Sequence, residues 1–336
     1  MTNLLLSCVL ASSLARAGDG DGEPKFPVVK PSGVIFTHYG YDLTDGADGF
    51  NEFALDRAYV RVDADIAKRW ATRVTLDADH VATTDSAGDA VDVSKLRVFV
   101  KHAYVEARDF GLPGVKIRGG MIETAYAPWW DNFWGNRYLA ESFPKEAGLM
   151  DTADLGIGAW GKHAKGAVDW NLSLVDGEGY KNLEDDKGKQ VMARVTVNPL
   201  AKGGKASLPI TGFASWDTDA VAKTSTVNAI GGAGFEIPRL LVWGEFDYTT
   251  TDGTSGTGYS ATLNPRLPKY AGLVVRYDHF DPDTGASGDS GDRILAGVEK
   301  DFLEKVSLGL MYERGWAEGA ADTPSHGVFL RAQAGY

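Results

Sequence analysis

The chain has 336 residues, 43% of them hydrophobic and 24% charged, with 41 glycines, 13 prolines and a formal net charge of -12. That balance argues against a nucleic-acid partner, because phosphate binding needs a basic face, and no run of about eighteen apolar residues exists to make a spanning helix. The length permits two ordinary domains, but a single all-β barrel also reaches this size.

The opening segment, MTNLLLSCVLASSLARAGDGDGE, has a short apolar core and then Ala15-Arg16-Ala17, a small-x-small pattern suited to signal peptidase. Residues 1–17 are expected to be a signal peptide and 18–32 a linker, with the departure that no Lys or Arg precedes Leu4. Cys8, the only cysteine, falls in the cleaved part. The mature chain must then draw its stability from burial or from a closed hydrogen-bond network, without disulfides.

From residue 33 to 336 the pattern changes to alternating polar and apolar runs. In DRAYVRVDAD, residues 56–65, Ala58, Val60, Val62 and Ala64 share one face, with Arg57, Tyr59, Arg61, Asp63 and Asp65 on the other, as a pleated strand requires. The split recurs in Trp70, Val74 and Leu76 against Arg73, Asp77 and Asp79, and in Val191, Ala193, Val195 and Val197 against Arg194, Thr196 and Asn198. The periodicity predicts about 16 strands, near 33–41, 53–65, 69–80, 96–108, 114–122, 154–162, 166–175, 189–198, 206–216, 223–234, 239–249, 257–266, 270–280, 292–301, 305–316 and 326–336.

Between these runs, short and mostly basic turns (Lys68, Arg69, Lys162, Lys165, Lys202, Lys205, Arg266, Lys269) alternate with longer acidic loops (Asp42, Asp45, Asp48, Asp85, Asp89, Asp92, Glu184, Asp185, Asp186, Asp281, Asp283, Asp289). That alternation is the mark of an up-and-down transmembrane barrel. A ring of about 16 strands is too wide for side chains to fill. The charged faces are therefore expected inward around water, and the apolar faces outward in lipid. Tyr39, Tyr41, Trp70, Trp216, Tyr248, Tyr259, Tyr277, Phe280, Tyr312, Trp316 and Tyr336 lie toward strand ends, where aromatic girdles meet the lipid–water interfaces.

One connection stands apart. ETAYAPWWDNFWGNRYLAESFPKEAGLMDTA, Glu123 to Ala153, holds Trp129, Trp130, Phe133, Trp134, Tyr138 and Phe143. A loop of this length is usually functional, and folding into the lumen would bury its aromatics while narrowing the bore. An aromatic cap on the rim or a subunit contact is the alternative.

Around this loop, LRVFVKHAYVEARDFGLPGVKIRGGMIETAYAPWWDNFWGNRYLAESF, followed by DLGIGAWG, resembles the phosphate-selective porin O/P family. The resemblance implies an outer-membrane channel of sixteen strands, usually a homotrimer, with the third loop folded inward as a constriction. It also implies basic clusters at that constriction and an arginine ladder on the wall. This loop departs from that pattern: Arg137 and Lys145 are accompanied by Glu123, Asp131, Glu141 and Glu146.

On the expected inner faces lie Arg57, Arg61, Arg73, Arg97, Lys101, Lys116, Arg118, Arg194, Arg276, Arg293 and Arg331, many near strand middles. Asp63, Asp65, Asp77, Asp79, Asp169, Glu245, Asp247, Asp278 and Glu299 share those faces. Opposed charges across a waist orient polar solutes and bias ion choice. The expected function is a porin for passive diffusion of ions and small polar solutes with a mild anion preference, set among outer-membrane lipid and lipopolysaccharide, with no cofactor. Pairing that merely lines a wet wall explains the same residues equally well.

Two competing functions are a barrel enzyme and a soluble secreted all-β binding module. GDSG at 288–291 matches the string around a nucleophilic serine, with Ser290 and His279 as the nearest candidates, but no matching His context accompanies it. Asp281, Asp283 and Asp292 have partial calcium-loop spacing and lack the Gly and final Glu such a loop needs. His38, His80, His102, His163, His279 and His326 show no metal-ligand spacing and are expected at the surface or an interface.

The chain stops on HGVFLRAQAGY, with Val328, Leu330, Ala332, Ala334 and Tyr336 on one face and Phe329, Arg331 and Gln333 on the other. In lipid each unpaired backbone group costs several kcal/mol, so this last strand is expected to close on the first.

Overall fold

The structure, a computed structural model, describes residues 25–80, 83–84, 90–91, 96–184, 186–201, 205–221, 223–267, 271–317 and 324–336. The expected signal peptide with Cys8, part of the linker, and the loop charges Asp85, Asp89, Asp92, Asp185, Lys202 and Lys269 lie outside the described residues.

Sixteen long strands form the wall. They are β1 (Val28–Asp42), β2 (Asn51–Ala67), β3 (Trp70–His80), β4 (Leu96–Arg108), β5 (Val115–Glu123), β6 (Ala153–His163), β7 (Val168–Val175) and β8 (Gln190–Val197). The second half adds β9 (Ile210–Asp219), β10 (Thr224–Ile237), β11 (Leu240–Thr251), β12 (Thr254–Pro265), β13 (Gly272–Asp281), β14 (Gly291–Leu303), β15 (Val306–Ala317) and β16 (Ser325–Gly335). Each pairs with its sequence neighbours and β16 pairs with β1, giving one closed barrel. A two-residue ribbon, Thr83–Thr84 with Ala90–Val91, stands apart. Among the described residues no helix is long and apolar enough to cross a membrane.

The alternation resolves into two sides. Val60, Val98, Ile157, Leu172, Leu273 and Leu310 project outward and are exposed, whereas Thr75, Asp77, Asn171, Arg194, Asn264 and Arg276 project inward and are buried. A soluble module would show the reverse. A closed sheet with an apolar belt outside and charges inside is the arrangement of an outer-membrane barrel, where only full closure satisfies every backbone group.

The seam is hydrogen-bonded to the last residue. Tyr336 N donates to Gly33 O at 3.0 Å and Gly33 N donates to Tyr336 O at 3.2 Å. The Tyr336 ring covers Gly33 so closely that a Cβ there would meet it at 2.2 Å. The first strand begins at Val28, inside the stretch expected to be linker. Residues 28–33 pair with β2, while pairing with β16 starts at Val34, so Pro31 sits where β1 has one partner strand among the described residues and its missing N–H is tolerated.

Two expectations about the connections need correction. On the long-loop side only four residues separate β9 from β10 and two separate β11 from β12, whereas on the short-turn side twelve separate β8 from β9. Asp252 and Gly253 both take positive φ, as a two-residue hairpin turn demands. Phe280 is also not in the outer girdle: it points inward and meets Phe143 edge-on, with ring centroids 6.4 Å apart. Tyr41, Trp70, Trp216, Tyr248, Tyr259, Tyr312, Trp316 and Tyr336 do lie exposed on the outside.

Candidate functional site

The third loop, residues 124–152, leaves β5 and enters the lumen. Its neck is tied by Thr124 N, which donates to Thr152 O at 3.1 Å, and by Thr124 Oγ1, which donates to Asp151 O at 2.6 Å. Helix α1 (Ala127–Trp134) follows, with proline in its first turn and Gly135 capping it in the left-handed region at φ 80°. Proline at that point loses no helical hydrogen bond.

Helix α1 packs its aromatics on apolar residues that project inward from the wall. Trp129 and Phe133 lie 5.7 and 5.3 Å from Trp243, and Trp130, fully buried, lies 4.8 Å from Trp134. Phe213, Ile230, Leu241, Leu295 and Met311 belong to the same cluster. A hydrophobic core inside the lumen thus docks the loop. Leu139 fits over Gly309, where a Cβ would approach it to 2.3 Å. A second short helix, α2 (Phe143–Glu146), returns toward the long-loop side.

Several of the expected wall cations hold this loop. Arg194 Nε donates to Ala125 O at 2.7 Å, Arg276 donates to Glu141 O and Arg331 to Leu139 O. Arg293 pairs with Glu146 at 3.1 Å, and Lys145 with Asp151 at 3.5 Å. These groups serve loop carbonyls and carboxylates.

Opposite α1, the wall of β2 to β5 carries a graded ladder of charge. Arg57 reaches Asp77 at 2.7 Å, Asp79 at 3.4 Å and, across the gap, Glu141 at 3.2 Å. Arg137 completes that bridge, pairing with Glu141 at 2.8 Å and Asp131 at 2.9 Å. Lower down, Arg73 pairs with Asp63 and Glu123, both at 2.7 Å, and Arg118 pairs with Glu106 at 2.8 Å and Glu123 at 2.6 Å. Burial pushes the Glu141 carboxyl up, but Arg137 and Arg57 outweigh it and hold it at about 2. Burial pushes Asp131 up to about 6, since Arg137, its opposing cation, is shared with Glu141.

The structure therefore brings Arg57, Arg61, Arg73, Arg118, Glu123, Asp131, Arg137 and Glu141 around one narrowing. Arg194, Arg276, Arg293, Arg331 and Lys145 stay on the loop contacts described above, and two more residues expected there also lie outside it. Arg97 is exposed on β4, in register with Asp79 near the long-loop end, and Lys116 is 46% exposed toward the short turns, 3.9 Å from Glu106. Both have inward phase, but their height on the strand removes them from the waist.

Lys101 and His102 are the surprise of the wall. Register slips between Thr75–His102 and Leu76–Val100, and this β-bulge turns two successive side chains inward. Both are about 5% exposed, so His102 is not the surface residue expected. Lys101 Nζ donates to Tyr59 Oη at 3.1 Å and lies 5.0 Å from the centroids of both the Tyr59 and Tyr180 rings. Among the described residues no carboxylate comes within 4.0 Å of the Lys101 ammonium or the Arg61 guanidinium. Tyr180 comes from the loop after β7 and donates to Asp77 at 2.7 Å.

Other candidates fall elsewhere. His279 points outward and stacks on Tyr259, with Nδ1 2.9 Å from Asp292, while His38 faces inward beside Asp56 at 2.6 Å. Among the described residues no group of three or more His, Cys, Asp or Glu is disposed to hold a metal ion.

Among the described residues several spaces remain in the lumen. One of about 560 Å³ lies between α1 and the β1–β5 wall, one of about 600 Å³ lies against β12 to β15 near the short turns, and one of about 280 Å³ opens at the long-loop mouth beside Arg293 and Glu313.

No family model matches the sequence, and no curated protein does. Solved structures match by fold. OmpT of Vibrio cholerae, described as outer-membrane expressed, aligns at TM-score 0.63 and 12% identity over 94% of this chain and 99% of that one. OprB of Pseudomonas putida aligns at 0.61 and 8% identity over 92% and 94%. The outer membrane channel DcaP of Acinetobacter baumannii aligns at 0.60 and 12% identity over 92% and 97%. The chain is similar to these outer-membrane barrels in architecture.

Proposed function

We propose that this barrel is an outer-membrane porin through which ions and small polar solutes diffuse passively, past a waist between the third loop and the β2–β5 wall. The observation that carries the reading is the loop itself: it is held inside the lumen by aromatic packing and ion pairs, and charged spaces remain beside it. A loop serving only as a plug would have no use for Lys101 and Arg61, which among the described residues have no carboxylate within 4.0 Å.

The mild anion preference rests on Lys101 and Arg61, which among the described residues have no carboxylate within 4.0 Å, whereas Arg57, Arg73, Arg118 and Arg137 are each spent on carboxylates. That spending argues against the strong phosphate selectivity of the O/P family, because a phosphate would have to displace Asp77, Glu123 or Glu141 from their guanidinium partners. A homotrimer embedded among lipid and lipopolysaccharide is the assembly we infer; one structure of the Vibrio cholerae protein is described as a trimer form.

Planar-bilayer recording tests this reading. The expected result is stepwise conductance with a reversal potential of modest anion sign in a KCl gradient. Absence of conductance from correctly folded barrels contradicts the channel, and strong cation selectivity contradicts the basic waist.

A further inference from the structure

Resting on the channel reading, we propose that the 560 Å³ space beside the waist is a binding site for an amphiphilic monocarboxylate: a small acid with one carboxylate and an apolar or aromatic body. The site has two unlike walls. Val34, Phe36 and Pro128 present an apolar surface, with the Tyr59 ring at its margin, while Arg61, Thr75, Lys101 and His102 line the same space.

The polar wall is built by register. Arg61 pairs directly with Thr75, and Thr75 pairs directly with His102, so three adjacent strands set these side chains in one row, with neighbouring Cβ atoms about 5 Å apart. The bulge adds Lys101 beside the row. Arg61 Nε, Thr75 Oγ1 and both ring nitrogens of His102 are buried without a hydrogen-bond partner among the described residues, although Thr75 is 1% and His102 5% exposed. Buried polar atoms are ordinarily satisfied, and leaving one unmet costs about 1–3 kcal/mol. A carboxylate has two oxygens with the lone pairs to meet such a row.

The remaining lining sets the charge and the body of the ligand. Glu123 and Asp131 face the same space, and their charges are already matched by Arg73, Arg118 and Arg137. They penalise a dianion more than a monoanion. Phe36 and Tyr59 stand edge to face with centroids 6.2 Å apart, a surface suited to a ring or a branched hydrocarbon. The volume falls within the usual range for small-molecule sites, about 300–1,000 Å³.

Isothermal titration of the detergent-folded barrel with benzoate, benzamide, acetate and inorganic phosphate tests the site, with KCl conductance of the same preparation measured alongside. Benzoate is expected to bind at least tenfold more tightly than each of the other three. His102→Leu and Thr75→Val should each weaken benzoate at least fivefold, and Phe36→Ser should erase its advantage over acetate, in barrels whose heat-modifiable gel mobility shows that they are folded. Equal binding of phosphate would overturn the proposal in favour of a plain anion site, and equal binding of benzamide would reduce the site to an apolar pocket. Intact conductance with no benzoate binding refutes the site alone, whereas absent conductance refutes the channel reading beneath it. The ranking of the four probes on the unmodified protein needs no variant to fold.

Discussion

Trp130→Ala should release the third loop from the wall without unfolding the barrel. The indole is 0% exposed, tilts against Trp134 at 4.8 Å and receives the Arg276 guanidinium 5.6 Å from its ring. A tryptophan buries about 150–250 Å², which at about 25 cal/mol per Å² gives an upper figure of about 4–6 kcal/mol. Measured truncations of this kind cost about 3–5 kcal/mol. At about 1.4 kcal/mol per tenfold, the opened loop should become roughly 10²–10³ times more populated. Hydrogen exchange with mass spectrometry reads this directly, because Gly135, Leu139 and Ala147 donate backbone hydrogen bonds within the loop. Their amides should exchange about 10²–10³ times faster, while those of β7 and β8 keep their wild-type rates, since local opening leaves the rest of the ladder intact. A change under tenfold in the loop, or an equal acceleration in every strand, refutes the account of how the loop is docked.

Other consequences are sharp enough to check. As pH falls through about 6, Asp131 gains a proton and the waist loses one negative charge, so the anion-to-cation permeability ratio should rise between pH 7 and 5; Asp131→Asn should flatten that step in reversal-potential recordings. Asp247 is 1% exposed and neither carboxylate oxygen has a hydrogen-bond partner among the described residues. Asp247→Leu, which removes both unpartnered oxygens, should therefore raise stability by about 1–3 kcal/mol, seen as a higher temperature for conversion to the unfolded gel band. Gly33→Val should lower that temperature, because its side chain would occupy the space of the Tyr336 ring at the seam.

The wall was legible because period two holds over most of each strand. Arg57 to Asp65 and Val191 to Val197 keep their faces in the folded barrel, and each of the expected strands has its counterpart. The docking surface for the loop was less visible, since Met192, Phe213, Ile230 and Leu241 are apolar residues written in the phase of the charged face. In QVMARVTV the Met falls where Gln, Arg and Thr mark the lumen; such apolar residues in the polar phase point to something packed inside. The bulge left a fainter sign. In VFVKHAYV the outward positions Val98 and Val100 are followed by Ala103 and Val105, a slip of one residue that turns Lys101 and His102 inward together. Ion pairing across the lumen was beyond reach, because it depends on where the loop places Arg137 and Glu141, and no periodicity in the loop encodes that crossing.

The central claim is that adjacent residues of a strand see lipid and water in turn, and Val60 with Arg61 offers the plainest comparison. With Cys8 replaced by Ser, Val60→Cys and Arg61→Cys barrels are to be reconstituted and exposed to a charged, water-borne thiosulfonate during recording. Stepwise current changes at position 61, with none at 60, are the predicted result. Reaction and altered current at 60 with silence at 61 would turn the barrel inside out and contradict the account.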